Sequence, residues 1–160
     1  MTLEATQTAD ALEHPAPRPP PRNRMVVAVL ALVGLLIAFY LSAHVLGLVP
    51  LVCGVSDCET VQSSQWSMVG PIPTPLIGLG GYAAVLALAV LGLQPRFQDA
   101  RSLGLAMLAL ATIGVAFSGF LTYQEAAVIH AWCVWCVTSA SVMTLIFLAS
   151  LPELARGEDA

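Results

Sequence analysis

Four long apolar stretches separated by polar segments occupy the chain from Met25 onward. Met25 to Leu46 contains no charged residue. As a helix it would reach about 33 Å, enough to cross the hydrocarbon core of a bilayer. Leu76 to Leu93, Leu103 to Tyr123 and Val137 to Leu151 follow. The pattern predicts an all-α polytopic membrane protein with four transmembrane helices in a catalytic or binding domain spanning residues 25–151.

The polar segments predict the rest. Residues 1–24 are acidic and then proline-rich, which predicts a disordered tail. A proline-rich ligand for a partner domain is the other reading of that tail. The first apolar stretch is too long for a cleavable signal peptide. Between Gly47 and Pro75, Ser56-Asp57-Cys58-Glu59 fits a capping box. It predicts a short helix running to about Ser67, with Ser56 as its cap and Cys58 in the first turn. Gly70-Pro71-Ile72-Pro73-Thr74-Pro75 then forbids helix and returns the chain to the membrane. Gly78, Gly80 and Gly81 open the second span and predict close approach of another helix, as do Gly114 and Ser118 in the third. Glu125 follows the third span, and Ala126 to Trp132 lead into the fourth. His44 reads as an interfacial side chain. Residues 152–160 form a second, acidic tail.

Composition narrows the class. Of the 160 residues, 58% are hydrophobic and 10% charged, which disfavours a soluble globular domain. The six basic residues are all arginine and form no nucleic-acid footprint. Their positions predict orientation. Arg18, Arg22 and Arg24 precede the first span, Arg96 and Arg101 lie between the second and third, and Arg156 follows the fourth. The two remaining loops carry no arginine, but contain Trp66 and Trp132. The positive-inside rule then predicts both termini in the cytoplasm and every cysteine on the opposite side. That side is an oxidising compartment if the membrane is the bacterial inner membrane or that of the endoplasmic reticulum.

Cys53 and Cys58 bracket one short loop; Cys133-Val134-Trp135-Cys136 opens the fourth span. Residues three apart on a helix share a face, and a helix start favours a thiolate, the reactive form in disulfide exchange. Disulfides closing such short loops constrain the unfolded chain little, so stabilisation is a weak reason to have them. Labile, exchanging pairs are the stronger reading. Two others stay open: inert buried or static cysteines, and a membrane scaffold whose four thiolates hold structural zinc.

Cys58-Glu59-Thr60-Val61-Gln62-Ser63-Ser64-Gln65-Trp66, with Gly78 and the later Cys133-Val134-Trp135-Cys136-Val137-Thr138-Ser139, resembles the vitamin K epoxide reductase family. The resemblance covers about residues 25–151. It implies a four-helix bundle around a quinone, capped by a half-helix bearing Ser64. It also implies a membrane thiol-disulfide oxidoreductase supporting disulfide-bond formation. Cys133 and Cys136 would be the redox-active centre, with Cys136 beside a ubiquinone or menaquinone as electron acceptor. Cys133 would exchange with Cys58, and Cys53 would receive electrons from a separate periplasmic or extracytoplasmic thioredoxin-like partner. Vertebrate members carry a tyrosine where this chain has Ala140, and an asparagine near the start of span two, where it has Thr74 or a proline. Both departures point to a simple quinone at a site that includes Cys136, Thr74 and Ala140. A short chain with Ala140 fits a bacterial inner membrane.

The arginine pattern yields a direct test of topology. Single cysteines from Ala16→Cys and Gln98→Cys should escape a membrane-impermeant thiol reagent in intact cells, whereas Met68→Cys should react. Labelling of the first two in unbroken cells would reverse the orientation.

Overall fold

Backbone amides inside a bilayer must find partners within their own segment, and the four apolar stretches do so as helices. The computed structural model describes residues 22–54 and 56–155. Its long helices are α1 (Arg22–Val45), α3 (Thr74–Leu93), α4 (Arg101–Gln124) and α5 (Val134–Ser150). Two short ones, α2 (Cys58–Gln62) and α6 (Pro152–Ala155), complete the α-helices of the described residues. Four segments are long and apolar enough to cross a membrane, Arg22–Val45, Thr74–Leu93, Arg101–Ile129 and Val134–Leu154. The protein is an all-α, multi-pass membrane bundle.

Helix α1 packs chiefly on α3 and α5, and α4 packs on α5 and α3. Their shared core includes Val27, Ala31, Tyr82, Val85, Met107 and Ile146. Many other large apolar side chains, Phe39 and Ile113 among them, face outward, as a lipid-facing surface requires. The expected close approach occurs at Gly114 but not at Gly78, Gly80 or Gly81, and Gly34 supplies an unexpected one. A Cβ at Gly34 would overlap the Tyr82 ring, and one at Gly114 would strike Met143. Gly80 and Gly81 meet nothing within 4 Å, and Gly78 meets only Ala38, at 3.9 Å. Glycines in α1 and α4 admit a neighbour's bulky side chain, while those opening α3 leave space.

Two helix starts also differ from expectation. Helix α3 begins at Thr74, with Pro75 in its first turn, where its missing N–H would have had no intrahelical acceptor. The capping box does not form. Asp57 occupies the cap position without a side-chain bond. The Ser56 hydroxyl instead donates to the Cys53 carbonyl at 2.9 Å. Helix α2 keeps Cys58 in its first turn but stops at Gln62, where the Ser64 hydroxyl turns back to the Val61 carbonyl at 2.7 Å. A 3-10 turn, Gln65–Ser67, follows. A two-residue hairpin then pairs Met68–Val69 (β1) with Ile72–Pro73 (β2), turning through Gly70 at φ +61°. Its positive φ is one that glycine adopts without strain.

Helix extends further toward both ends of the chain than the sequence predicted. Residues 1–21 and 156–160, on which most of the two expected tails falls, lie outside the described residues. Arg22, Asn23 and Arg24, however, belong to α1, and Pro152–Ala155 form α6. Arg24 is buried because its guanidinium meets Glu153 at 2.8 Å, both side chains being at most 3% exposed. It also donates to the Gly92 carbonyl at 3.0 Å and to the Phe97 carbonyl at 3.3 Å. Gly92 and Gly104, lacking side chains, make room for this pair. The start of α1, the end of α3 and the residues after α5 thus meet at the end of the bundle opposite the cysteines.

Removing one member of a buried pair strands the other, at about 3–5 kcal/mol. Arg24→Ala should therefore lower the melting temperature in detergent markedly, and adding Glu153→Ala should recover part of the loss. An unchanged melt for Arg24→Ala would mean the pair contributes nothing to stability.

Candidate redox site and its cavity

At the other end, four chain segments converge on the cysteines. Cys133 precedes α5 with extended backbone and caps it, its sulfur accepting the Cys136 N–H at 3.3 Å. The two cysteines are thus linked at the helix start, but they face different surroundings. Cys133 is fully buried in an apolar cluster with Cys58, Val61 and Ala131, against which Cys53, Trp135 and Cys136 also pack. Cys136 lines a cavity of about 540 Å³ between the helices. Cys53 and Cys58 are joined by a disulfide, whereas Cys133 and Cys136 are free.

Backbone and indole contacts hold the loop over the helix start. The Asp57 N–H donates to the Trp132 carbonyl at 3.1 Å. The Trp135 indole donates to the Val52 carbonyl at 2.9 Å, and Val52 donates its own N–H to the Tyr40 hydroxyl at 2.9 Å. Tyr40 and Trp135 pack against each other, tilted by 55°, with 5.1 Å between ring centres. The loop disulfide is therefore tethered beside Cys133 through two aromatic side chains.

A third partner comes from the end of α4. Past Gln124 the helix widens into a π-helical turn, Glu125–Ile129, which ends at His130 in the left-handed region with φ 57°. This turn brings Glu125 inward, 3% exposed, and its carboxylate accepts the Cys133 N–H at 3.1 Å. It also interacts with the Cys136 thiol. The thiol of Cys133 is held below the ordinary cysteine value, chiefly by the hydrogen bond from the Cys136 side chain. Burial and the Glu125 charge oppose that shift.

The cavity collects the remaining sequence candidates. Ser64, Thr74 and Ala140 line it together with Cys136. Ser64 spends its hydroxyl on Val61, and Thr74 donates to the Trp66 carbonyl at 3.3 Å. Gly78, Gly80 and Gly81 also form its wall, so their lack of side chains widens this space. Cys53, Cys58 and Cys133 are not among its lining residues. Among the described residues no group of three His, Cys, Asp or Glu side chains converges as a metal site.

Several contributors carried little or no signal in the sequence. Gln62 donates to the Cys136 sulfur at 3.8 Å. The Tyr82 hydroxyl meets the Ser139 carbonyl at 2.7 Å, one turn below Cys136. Trp66 lines the cavity and has a buried indole N–H with no acceptor. The sequence places Glu125 only after the third span; the signal that marks it is a carboxylate at the end of an apolar run, costly without a task.

Comparison with known families finds a match that covers nearly the whole bundle. The model of the vitamin K epoxide reductase family matches residues 25–151.

The Cys133 environment fixes an expected pH dependence. In the fully reduced protein, mass-mapped alkylation of Cys133 should reach half its maximal rate below the ordinary thiol value of about 8.5. Cys136→Ala removes the main stabiliser of the thiolate, so that midpoint should move upward. An unmoved midpoint would show that Cys136 does not set the ionisation of Cys133.

Proposed function

The chain belongs to the vitamin K epoxide reductase family, and on that premise we propose that this membrane oxidoreductase moves electrons from a thioredoxin-like dithiol partner to a membrane quinone. The observation that carries the reading is the division of the CxxC pair. One sulfur, Cys136, borders a cavity of about 540 Å³, and the other, Cys133, is packed with the loop cysteine Cys58. A pair so divided is suited to receive electrons on one side and release them on the other.

The cavity fits a quinone head group. Its lining is mostly apolar, and the free Trp66 N–H offers a donor to a carbonyl acceptor that is otherwise missing. Trp66, Thr74 and Ala140 would hold the ring near Cys136. A bound quinone would supply a two-electron acceptor dissolved in the membrane.

On this reading the partner's dithiol reduces the Cys53–Cys58 disulfide by attack at Cys53. The Cys58 thiolate then attacks the oxidised Cys133–Cys136 pair at Cys133, and Cys136 leaves. Cys53 in turn attacks Cys58, restoring the loop disulfide and releasing Cys133. Each exchange forms one S–S bond and breaks one, so two electrons move inward per cycle. A joined loop pair beside a free membrane pair corresponds to the point after that transfer. The thiolate bias at Cys133 makes it a good leaving group when the loop disulfide re-forms. The arginine pattern supports cytoplasmic termini, with the cysteines facing the periplasm of a bacterial inner membrane. Disulfide-bond formation in secreted proteins would be the physiological outcome.

Removing Cys136 tests the route. In Cys136→Ala, Cys133 has no near partner to close on, so it should capture Cys58 and leave Cys53 free. Non-reducing peptide mapping should find the Cys58–Cys133 adduct, and quinone reduction by a dithiol should fall to background. An adduct through Cys53 would reverse the route through the loop. Finding Cys133 free of both loop cysteines would break the link between the two pairs on which the function rests.

A further inference from the structure

The relay described above accounts for the electrons but leaves Glu125 without a task. This carboxylate is 3% exposed, on a π-helical turn inside the apolar end of the third span. The Cys133 N–H donates to it at 3.1 Å, and its charge bears on the Cys136 thiol. It also lines the same cavity as Cys136. Among the described residues, no arginine side chain is one of its hydrogen-bond or ion-pair partners. A buried carboxylate costs stability unless it has compensation, and one backbone N–H is a modest return.

The chemistry at Cys136 requires a base. Oxidising the Cys133–Cys136 dithiol breaks two S–H bonds, forms one S–S bond and releases two electrons and two protons. Cys133 is biased toward thiolate and loses its proton first. The proton on Cys136 must leave as the disulfide closes, and Glu125 is the carboxylate that shares its cavity. We propose that Glu125 is the proton carrier of the quinone half-reaction, taking the proton from the Cys136 sulfur and delivering it across the shared cavity to the reduced quinone oxygen. The electron pair goes to the quinone, Glu125 returns to carboxylate, and the proton lost earlier from Cys133 is balanced by one taken up from solvent to complete the quinol. This role rests on the quinone reading above.

The competing role for Glu125 is purely mechanical, an anchor for the Cys133 N–H. Glu125→Gln separates the two, because the amide oxygen still accepts that N–H but cannot carry a proton. Quinone reduction by Glu125→Gln should fall about 10²-fold or more, the usual range for loss of a general base. Its melting temperature should stay near that of the unaltered protein. Glu125→Asp should keep part of the rate, and added acetate or formate should partly rescue Glu125→Ala.

A second readout does not depend on turnover. In cells, thiol trapping with a mass-tagged maleimide should find Cys133 and Cys136 of Glu125→Gln accumulated as dithiol, with the loop pair still reaching its disulfide. A Glu125→Gln protein as active and as oxidised as the unaltered one would overturn the proposal and leave only the anchor. So would a Glu125→Ala protein that no small carboxylate rescues while Glu125→Gln remains active. Failure of the unaltered protein to reduce any quinone would instead remove the function on which this role rests.

Discussion

At the start of the fourth membrane helix the Cys133 sulfur accepts a backbone N–H from Cys136, and the surrounding chain is arranged by what that cap requires. A helix start leaves amide protons without intrahelical acceptors, and here a sulfur and the Glu125 carboxylate take them up. The same contacts keep Cys133 out of water, next to Cys58, and bias it toward the thiolate. The loop must then lie over the helix start, and its contacts through Asp57, Val52 and Trp135 hold it there. Capping, burial and reactivity are consequences of one local geometry.

The division of surroundings follows from that geometry. Cys133 precedes the first helical turn with extended backbone, so its surroundings differ from those of Cys136 although the two side chains meet. Cys133 is buried in the loop cluster, while Cys136 belongs to α5, packs on that cluster and lines the cavity.

The four spans were legible in the sequence because lipid demands long uncharged runs, and the paired cysteines were legible because of their spacing. Boundaries were less so. Pro75 reads as a helix breaker, but the first turn tolerates it, so α3 starts at Thr74. The capping box failed because the Ser56 hydroxyl had a nearer acceptor in the Cys53 carbonyl, a tertiary contact of the loop. Gly34 and Gly78 look alike in sequence; only the packing shows that one receives the Tyr82 ring and the other opens the cavity. Arg24 and Glu153, 129 positions apart, each read as tail residues, and nothing local announces that they meet. Trp66 and Gln62 became visible as contributors only once the short helix was seen to stop and fold its next turn over the cavity.

The Arg24–Glu153 pair also has an architectural consequence. By tying the beginning of the first helix to the residues just after the last, it makes the bundle nearly a closed hoop, with both ends of the helical core at one spot. That spot is the pole opposite the sulfurs. A soluble module spliced onto either end would hang on the wrong side of the bilayer to touch the loop disulfide, however long and supple its tether. Reaching it would take an odd number of additional membrane crossings, so for this architecture the parity of spans, and not the reach of a linker, decides whether an appended module can meet the cysteines.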